Sequence, residues 1–265
     1  MTHDGLLKIH KTRSPMANKR IALVTGANTG IGFQIARDLT AKGVMVLIGS
    51  RNLEAGKKAA SETGDAAQAI QLDVTSKTSI AAAAARIEKE FGHLDILVNN
   101  AGISRVGTPE GSLEEIMRKD KMSTASMDDI RIIYETNVFG VIAVTQAMLP
   151  LLRKSQSARI VNVSSGVGSL TRTMAPGSER LRAIFGIYSA SKTALNAVTL
   201  GFAIDLQNEG IKVNAACPGF TKTALNNFTG TQKVEEGARE AVRLALIDDN
   251  GPTGSYSGNE GPMPW

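Results

Sequence analysis

Apolar residues fall along the chain in short unbroken runs, separated by longer stretches in which they recur at helical spacing. Ile21-Ala-Leu-Val-Thr25 is a run of the kind a strand buried on both faces requires. The next segment, Gly32 to Lys42, places Ile35, Ala36 and Leu39 on one helical face and stops at Gly43. The rhythm then repeats. Strands are predicted over 44–48, 69–72, 94–98, 160–163 and 211–215, and helices over 53–63, 79–90, 130–152 with a break at Pro150, 188–207 and 234–246. Strands that alternate with helices of this length predict an α/β fold, a doubly wound parallel sheet of about seven strands with helices on both faces. Two stretches, 103–128 and 166–187, lack the rhythm and are long for connections, which marks them as candidate functional loops.

Composition narrows the function. The net charge of +5 is concentrated at the start, where Lys8, Lys11, Arg13, Lys19 and Arg20 face only Asp4. The rest carries about one net charge, too little to track a phosphate backbone, so no nucleic-acid partner is expected. Residues 1–18 read as a basic tail and residues 19–265 as one domain. One cysteine, Cys217, excludes a disulfide scaffold, and three histidines (His3, His10, His93) leave no Cys/His metal site. Cys217 reads as a small buried filler, with no histidine near it to activate a thiol. No unbroken apolar run approaches a membrane span or a secretory signal, so a soluble, cytoplasmic protein is expected.

Two local patterns carry chemistry. The turn Gly26-Ala27-Asn28-Thr29-Gly30-Ile31-Gly32 leaves the first strand and opens a helix. Gly26 permits a tight turn, Gly30 lets backbone approach a pyrophosphate, and Gly32 allows close helix–strand packing. Without a Gly-Lys-Ser/Thr ending it is not a P-loop. The context is that of a Rossmann-type dinucleotide site, in which an acid commonly ends the second strand to hold a ribose diol. Here that strand ends in Gly49-Ser50-Arg51-Asn52. The Arg51 guanidinium, beside Asn52, suits a 2′-phosphate and hence NADPH/NADP+ as cofactor.

The second pattern is Tyr188-Ser189-Ala190-Ser191-Lys192, which sets a phenol and an ammonium four residues apart on one helix face. A free phenol, with a pKa of about 10, is a poor proton donor or acceptor near neutrality. A cation about 4 Å away is worth roughly 4 kcal/mol at an effective dielectric near 20, or about three pKa units. The expectation is that Lys192 brings Tyr188 down toward the working range.

Together, TGANTGIG (25–32), NNAG (99–102), Asn137, VSS (163–165), YSASK (188–192) and PGFTKT (218–223) resemble the classical short-chain dehydrogenase/reductase family, in order and over nearly the whole chain. The resemblance implies that Tyr188 is the general acid/base and that Lys192 tunes it and holds the nicotinamide ribose. It implies that Ser165 binds the substrate carbonyl and that Asn137 holds a water linked to Lys192. Asp73, with Val74 beside it, is implied as the adenine contact, and Asn99, Ala101 and Gly102 as part of the segment along the cofactor's ribose. Pro218, Gly219, Thr221 and Thr223 correspond to the loop that grips the carboxamide and pyrophosphate.

Arg51 and the ending GPTGSYSGNEGPMPW are similar to the NADPH-dependent carbonyl reductase branch. The expected activity is therefore reduction of an aldehyde or ketone. Leu170, Met174, Phe185, Phe220, Leu225 and Phe228 suggest that the substrate is hydrophobic. An alcohol dehydrogenase working oxidatively, or a regulator that binds NADPH without turnover, are the other readings. Related reductases with an insertion before the tyrosine can be monomeric, and the intermediate length here leaves monomer or homo-oligomer open.

Overall fold

The structure, a computed structural model, describes residues 19–107 and 120–265. The expected basic tail, 1–18, and part of the first irregular stretch lie outside the described residues. One eight-stranded sheet forms the middle layer, in the order β3-β2-β1-β4-β5-β6-β7-β8. Its strands are β1 (Ile21–Thr25), β2 (Met45–Ser50), β3 (Ala67–Gln71), β4 (Ile96–Asn99), β5 (Arg159–Val163), β6 (Lys212–Cys217), β7 (Tyr256–Gly258) and β8 (Gly261–Pro262). All neighbours run parallel except β7 and β8. The doubly wound α/β architecture is as the hydrophobic rhythm predicts. The last two strands, short and rich in glycine and proline, carry no such rhythm.

Strand alternation sorts the core into two layers. Ile21 and Leu23 of β1 join a cluster with Ile80, Ile87, Val144, Met148 and Leu151. Their neighbours Ala22 and Val24 point the other way, to Ile35, Leu39, Ala241 and Leu244. The first cluster is covered by α3 (Lys77–Phe91) and by the helical stretch that ends at Leu152. The second is covered by α1 (Gly30–Ala41) and α9 (Val234–Ala245). Each fully buried Leu or Ile contributes roughly 1.5–3 kcal/mol, so both layers are needed to hold the sheet. The helix α2 (Leu53–Thr63) begins at Asn52, whose side chain accepts from the Ala55 N–H at 3.1 Å.

The stretch 127–152 departs from expectation. Its break is not at Pro150. Helix α4 (Met127–Tyr134) passes through one π-helical turn, Glu135–Phe139, into α5 (Gly140–Leu152), which runs through Pro150. Facing solvent in the last turn of α5, Pro150 removes one backbone hydrogen bond, and the helix, packed on its other face, runs on through it to Leu152. Met127–Leu152 is long and apolar enough, by length and composition, to cross a membrane. Here its apolar side (Val141, Val144, Met148, Leu151, Leu152) is buried in the core. The second irregular stretch holds two short helices, α6 (Leu170–Met174) and α7 (Glu179–Ala183), ahead of α8 (Ile187–Asp205).

Strand order reverses between β1 and β4, and ligands of open α/β sheets bind at the carboxyl ends of the strands at such a switch point. Thr25 ends β1 there. Its hydroxyl accepts from the N–H groups of Asn100 and Ala101, each at 3.0 Å, and so ties the ends of β1 and β4 together.

Candidate active site

A cleft of about 380 Å³ opens at that point. Gly26, Asn28, Thr29, Gly30, Ile31 and Gly32 form one wall; Arg51, Asp73, Val74, Ala101 and Gly102 form the floor; Tyr188, Lys192, Pro218 and Thr223 close the far side. Most of the expected cofactor residues thus meet in one crevice, although they come from six separate parts of the chain.

The glycines of the turn are there for space. Gly26 sits at φ +62°, and a Cβ on it would lie 2.9 Å from the Ala101 Cα. A Cβ on Gly32 would lie 2.6 Å from the Gly26 carbonyl oxygen and collide with the Asn100 amide. Helix α1 begins at this turn with no side-chain cap and no acidic residue in its first turn. Its free N–H groups and positive dipole end face the cleft, the arrangement that receives a phosphate. Arg51 lines the same crevice, is exposed, and its guanidinium has no hydrogen-bond or ion-pair partner among the described residues. These observations fit a nicotinamide dinucleotide. Asp73 folds into its own turn, accepting from the N–H (2.9 Å) and hydroxyl (2.7 Å) of Thr75.

The reacting end of the cleft is built from α8 and the loop after β5. Tyr188 lies in the first turn of α8, half-buried in the cleft wall, with the Ser165 hydroxyl close enough to act on its phenol. Lys192, one turn on, is buried and donates to the Val163 carbonyl at 2.8 Å. Its Nζ is 5.8 Å from the centre of the Tyr188 ring. The net shift of the phenol runs opposite to the expected direction. Burial pushes the Tyr188 hydroxyl up to about 12, against the Ser165 hydroxyl, which pulls the other way. Burial also brings Lys192 down to about 8. The spacing correctly gave proximity, but spacing carries no information about desolvation, which dominates here.

Several expected site residues are engaged away from the cleft. Asn137 is fully buried in the π-helical turn. Its Oδ1 accepts from the Ile103 N–H at 2.9 Å, and its Nδ2 donates to the Ile103 carbonyl at 2.8 Å and to the Ser191 hydroxyl at 3.0 Å. This amide therefore fastens the β4 loop to α8. Asn99 points behind the sheet, its Nδ2 donating to Asn162 Oδ1 at 2.9 Å and Thr145 Oγ1 at 3.1 Å. Alternation along β4 puts its neighbour Asn100, not Asn99, on the cleft side. Asn52 is used as the cap of α2. The Thr221 hydroxyl donates to the Pro218 carbonyl at 2.8 Å and packs on Gly237, while Gly219, at φ +71°, backs onto Gln232.

The cleft also contains residues the sequence did not single out: Thr75, Ile103, Thr136, Ser164 and Ala224. Of these, Ser164 stands beside Ser165 in the same motif, its hydroxyl donating to Asn196 Oδ1 at 2.5 Å. Tyr256 of β7 donates to the Ser165 carbonyl at 2.6 Å and stacks on Trp265 with ring centres 5.3 Å apart, holding the β5 loop from below. At the mouth, the Ser104 hydroxyl donates to the Leu225 carbonyl at 2.8 Å.

Known proteins share this arrangement. A family model described as short chain dehydrogenase matches residues 20–234. A short-chain dehydrogenase of Penicillium roqueforti is 40% identical over 236 residues, covering 86% of this chain and 88% of that protein. (−)-Isopiperitenone reductase of Mentha piperita is 35% identical over 302 residues, covering 90% and 96%. The solved structure of salutaridine reductase from Papaver somniferum superposes with a TM-score of 0.75 at 31% identity, covering 90% of this chain and 99% of that one. By sequence, sheet order and cleft together, the chain belongs to the short-chain dehydrogenase/reductase family of oxidoreductases.

Proposed function

We propose that this protein is an NADPH-dependent reductase of hydrophobic aldehydes or ketones. The observation that carries the reading is the state of Tyr188. Its hydroxyl lies in the cleft wall, beside Ser165, and keeps its proton through the neutral range because burial has raised its pKa. The protonated hydroxyl is the form from which reduction of a carbonyl starts, whereas oxidation of an alcohol starts from the phenolate. Because the raised pKa makes the phenol a weaker acid, its proton transfer relies on the positive charge of Lys192. The nicotinamide, when bound, supplies the hydride.

The chain's own residues do the rest. Ser165 and Tyr188 present two hydroxyls to one carbonyl oxygen, and Tyr188 gives up its proton as negative charge develops there. Lys192, held against the Val163 carbonyl, places positive charge beneath the phenol to offset the phenolate that forms. Arg51 and the α1 N-terminus support the preference for NADPH, since both offer positive charge to phosphate and the Arg51 guanidinium has no competing partner among the described residues. Leu225 in the cleft wall, and Leu170, Met174, Phe220 and Phe228, exposed although large and apolar, support an apolar substrate.

The test is NADPH consumption against a panel of aldehydes, ketones and quinones. Turnover is expected with apolar members, and Tyr188→Phe is expected to lower kcat by about 10²–10⁴-fold while leaving NADPH binding nearly intact. Retained turnover in that variant would remove Tyr188 from its role.

A further inference from the structure

The helix that presents Tyr188 begins abruptly. Its cap position is Gly186, which has no side chain to bond the first-turn N–H groups, and no acidic residue lies in that first turn. Such N–H groups need a partner when the helix end is buried, as Gly186 and Ile187 are here. The partner comes from far away in sequence. The Asp120 carboxylate, in the irregular stretch between β4 and α4, lies against this end of the helix, close enough to the backbone N–H groups of Ile187 and Tyr188 for them to pull its pKa down. A Cβ on Gly186 would lie 2.8 Å from Asp120 Oδ2 and would also collide with the Asp120 carbonyl oxygen, so glycine is what allows the carboxylate to come this close.

We infer that Asp120 is a positioning residue for Tyr188, a cap delivered by an insertion to the helix whose first turn holds the proton donor. This rests on the reading of Tyr188 given above. A carboxylate at a helix N-terminus is stabilised by the dipole as well as by its hydrogen bonds. Tyr188 is the second residue of α8, so a shift of that first turn moves the phenol directly. Misplacing a reacting group by about 1 Å can cost on the order of 100-fold in rate. Arg105, whose charge acts on Asp120, belongs to the same stretch as Ser104, which bonds to Leu225. Ser104 and Arg105 thus stand at the cleft mouth, and Asp120 meets the start of α8. Burial raises the Asp120 pKa, opposed by Arg105 and the two N–H groups, so the ionised cap depends on its hydrogen bonds remaining in place.

The experiment compares Asp120→Ala, Asp120→Asn and Gly186→Ala with the unaltered full chain. Amide hydrogen exchange is followed over 184–192, and kcat, KM for a carbonyl substrate and NADPH affinity are measured in parallel. With the cap in place, Asp120→Ala should speed exchange at Ile187 and Tyr188 by about tenfold or more. It should lower kcat by about tenfold or more, with KM and NADPH affinity within about threefold of the original. Asp120→Asn, which keeps an acceptor, should recover part of both effects. Gly186→Ala, whose Cβ would strike the Asp120 carbonyl oxygen as well as its carboxylate, should raise exchange and lower kcat at least as much. Unchanged exchange in Asp120→Ala would overturn the cap. Faster exchange with an undiminished kcat would overturn the positioning role. An unaltered protein that reduces no carbonyl would defeat the functional reading instead, and the exchange measurement would still decide whether the cap exists.

Discussion

At the scale of single residues, the Tyr188 hydroxyl and the Lys192 ammonium sit in the same enclosed corner, and desolvation moves them in opposite directions. The phenol is raised to about 12 and the amine lowered to about 8. A lysine whose pKa is depressed carries its charge below that value and loses it as pH rises through it. Reduction is therefore expected to hold steady through neutrality and to fall by about tenfold per unit above roughly pH 8, while Tyr188 stays protonated. A profile of kcat against pH checks this, and a plateau reaching the tyrosine range would show that the lysine charge is not needed. Arg51 acts at the opposite end of the cleft. NADPH should bind at least about tenfold tighter than NADH, and Arg51→Ala should narrow that gap, by fluorescence titration. Equal affinities in the unaltered protein would count against a 2′-phosphate contact.

Among the elements, the π-helical turn between α4 and α5 shows where the sequence speaks and where it stops. It buries Asn137, whose side chain makes three hydrogen bonds, two of them to the backbone of Ile103. Asn137→Ala leaves those groups unpaired in a buried place, a loss of about 1–3 kcal/mol, measurable by urea unfolding. Strands β1 to β6 and the long helices were legible because each must satisfy a fixed apolar period. The glycine turn was legible because only glycine fits at Gly26 and Gly32. What was not legible depends on contacts distant in sequence. Nothing local separates Asn99, locked onto Asn162 and Thr145, from Asn100, which faces the cleft. Nothing local to Gly186 announces a carboxylate from position 120. Pro150 gave a misleading signal, since one missing hydrogen bond on an exposed position does not end a helix whose other face is packed in the core.

For the molecule as a whole, the sheet keeps the two apolar layers apart. Leu23 lies in one and Ile35 in the other, both fully buried. Truncating either to Ala should cost about 2–5 kcal/mol, and the two losses should add to within about 0.5 kcal/mol, as read from denaturant midpoints. Marked non-additivity would mean that the layers repack together. The same division explains how the site is held. Its residues sit at strand ends and helix starts, on parts fixed by two independent cores, while irregular segments supply the rim.

The hydrogen bond from Ser104 to the Leu225 carbonyl joins two such segments beside the crevice, which Ile103 and Leu225 line. Any molecule entering between these two rims must part them, trading one exposed bond for water at a cost of about 1 kcal/mol. So small a toll cannot bar the door. Admission would then be governed by how often the two rims drift apart, and bulkier guests would wait longer than slender ones of equal greasiness.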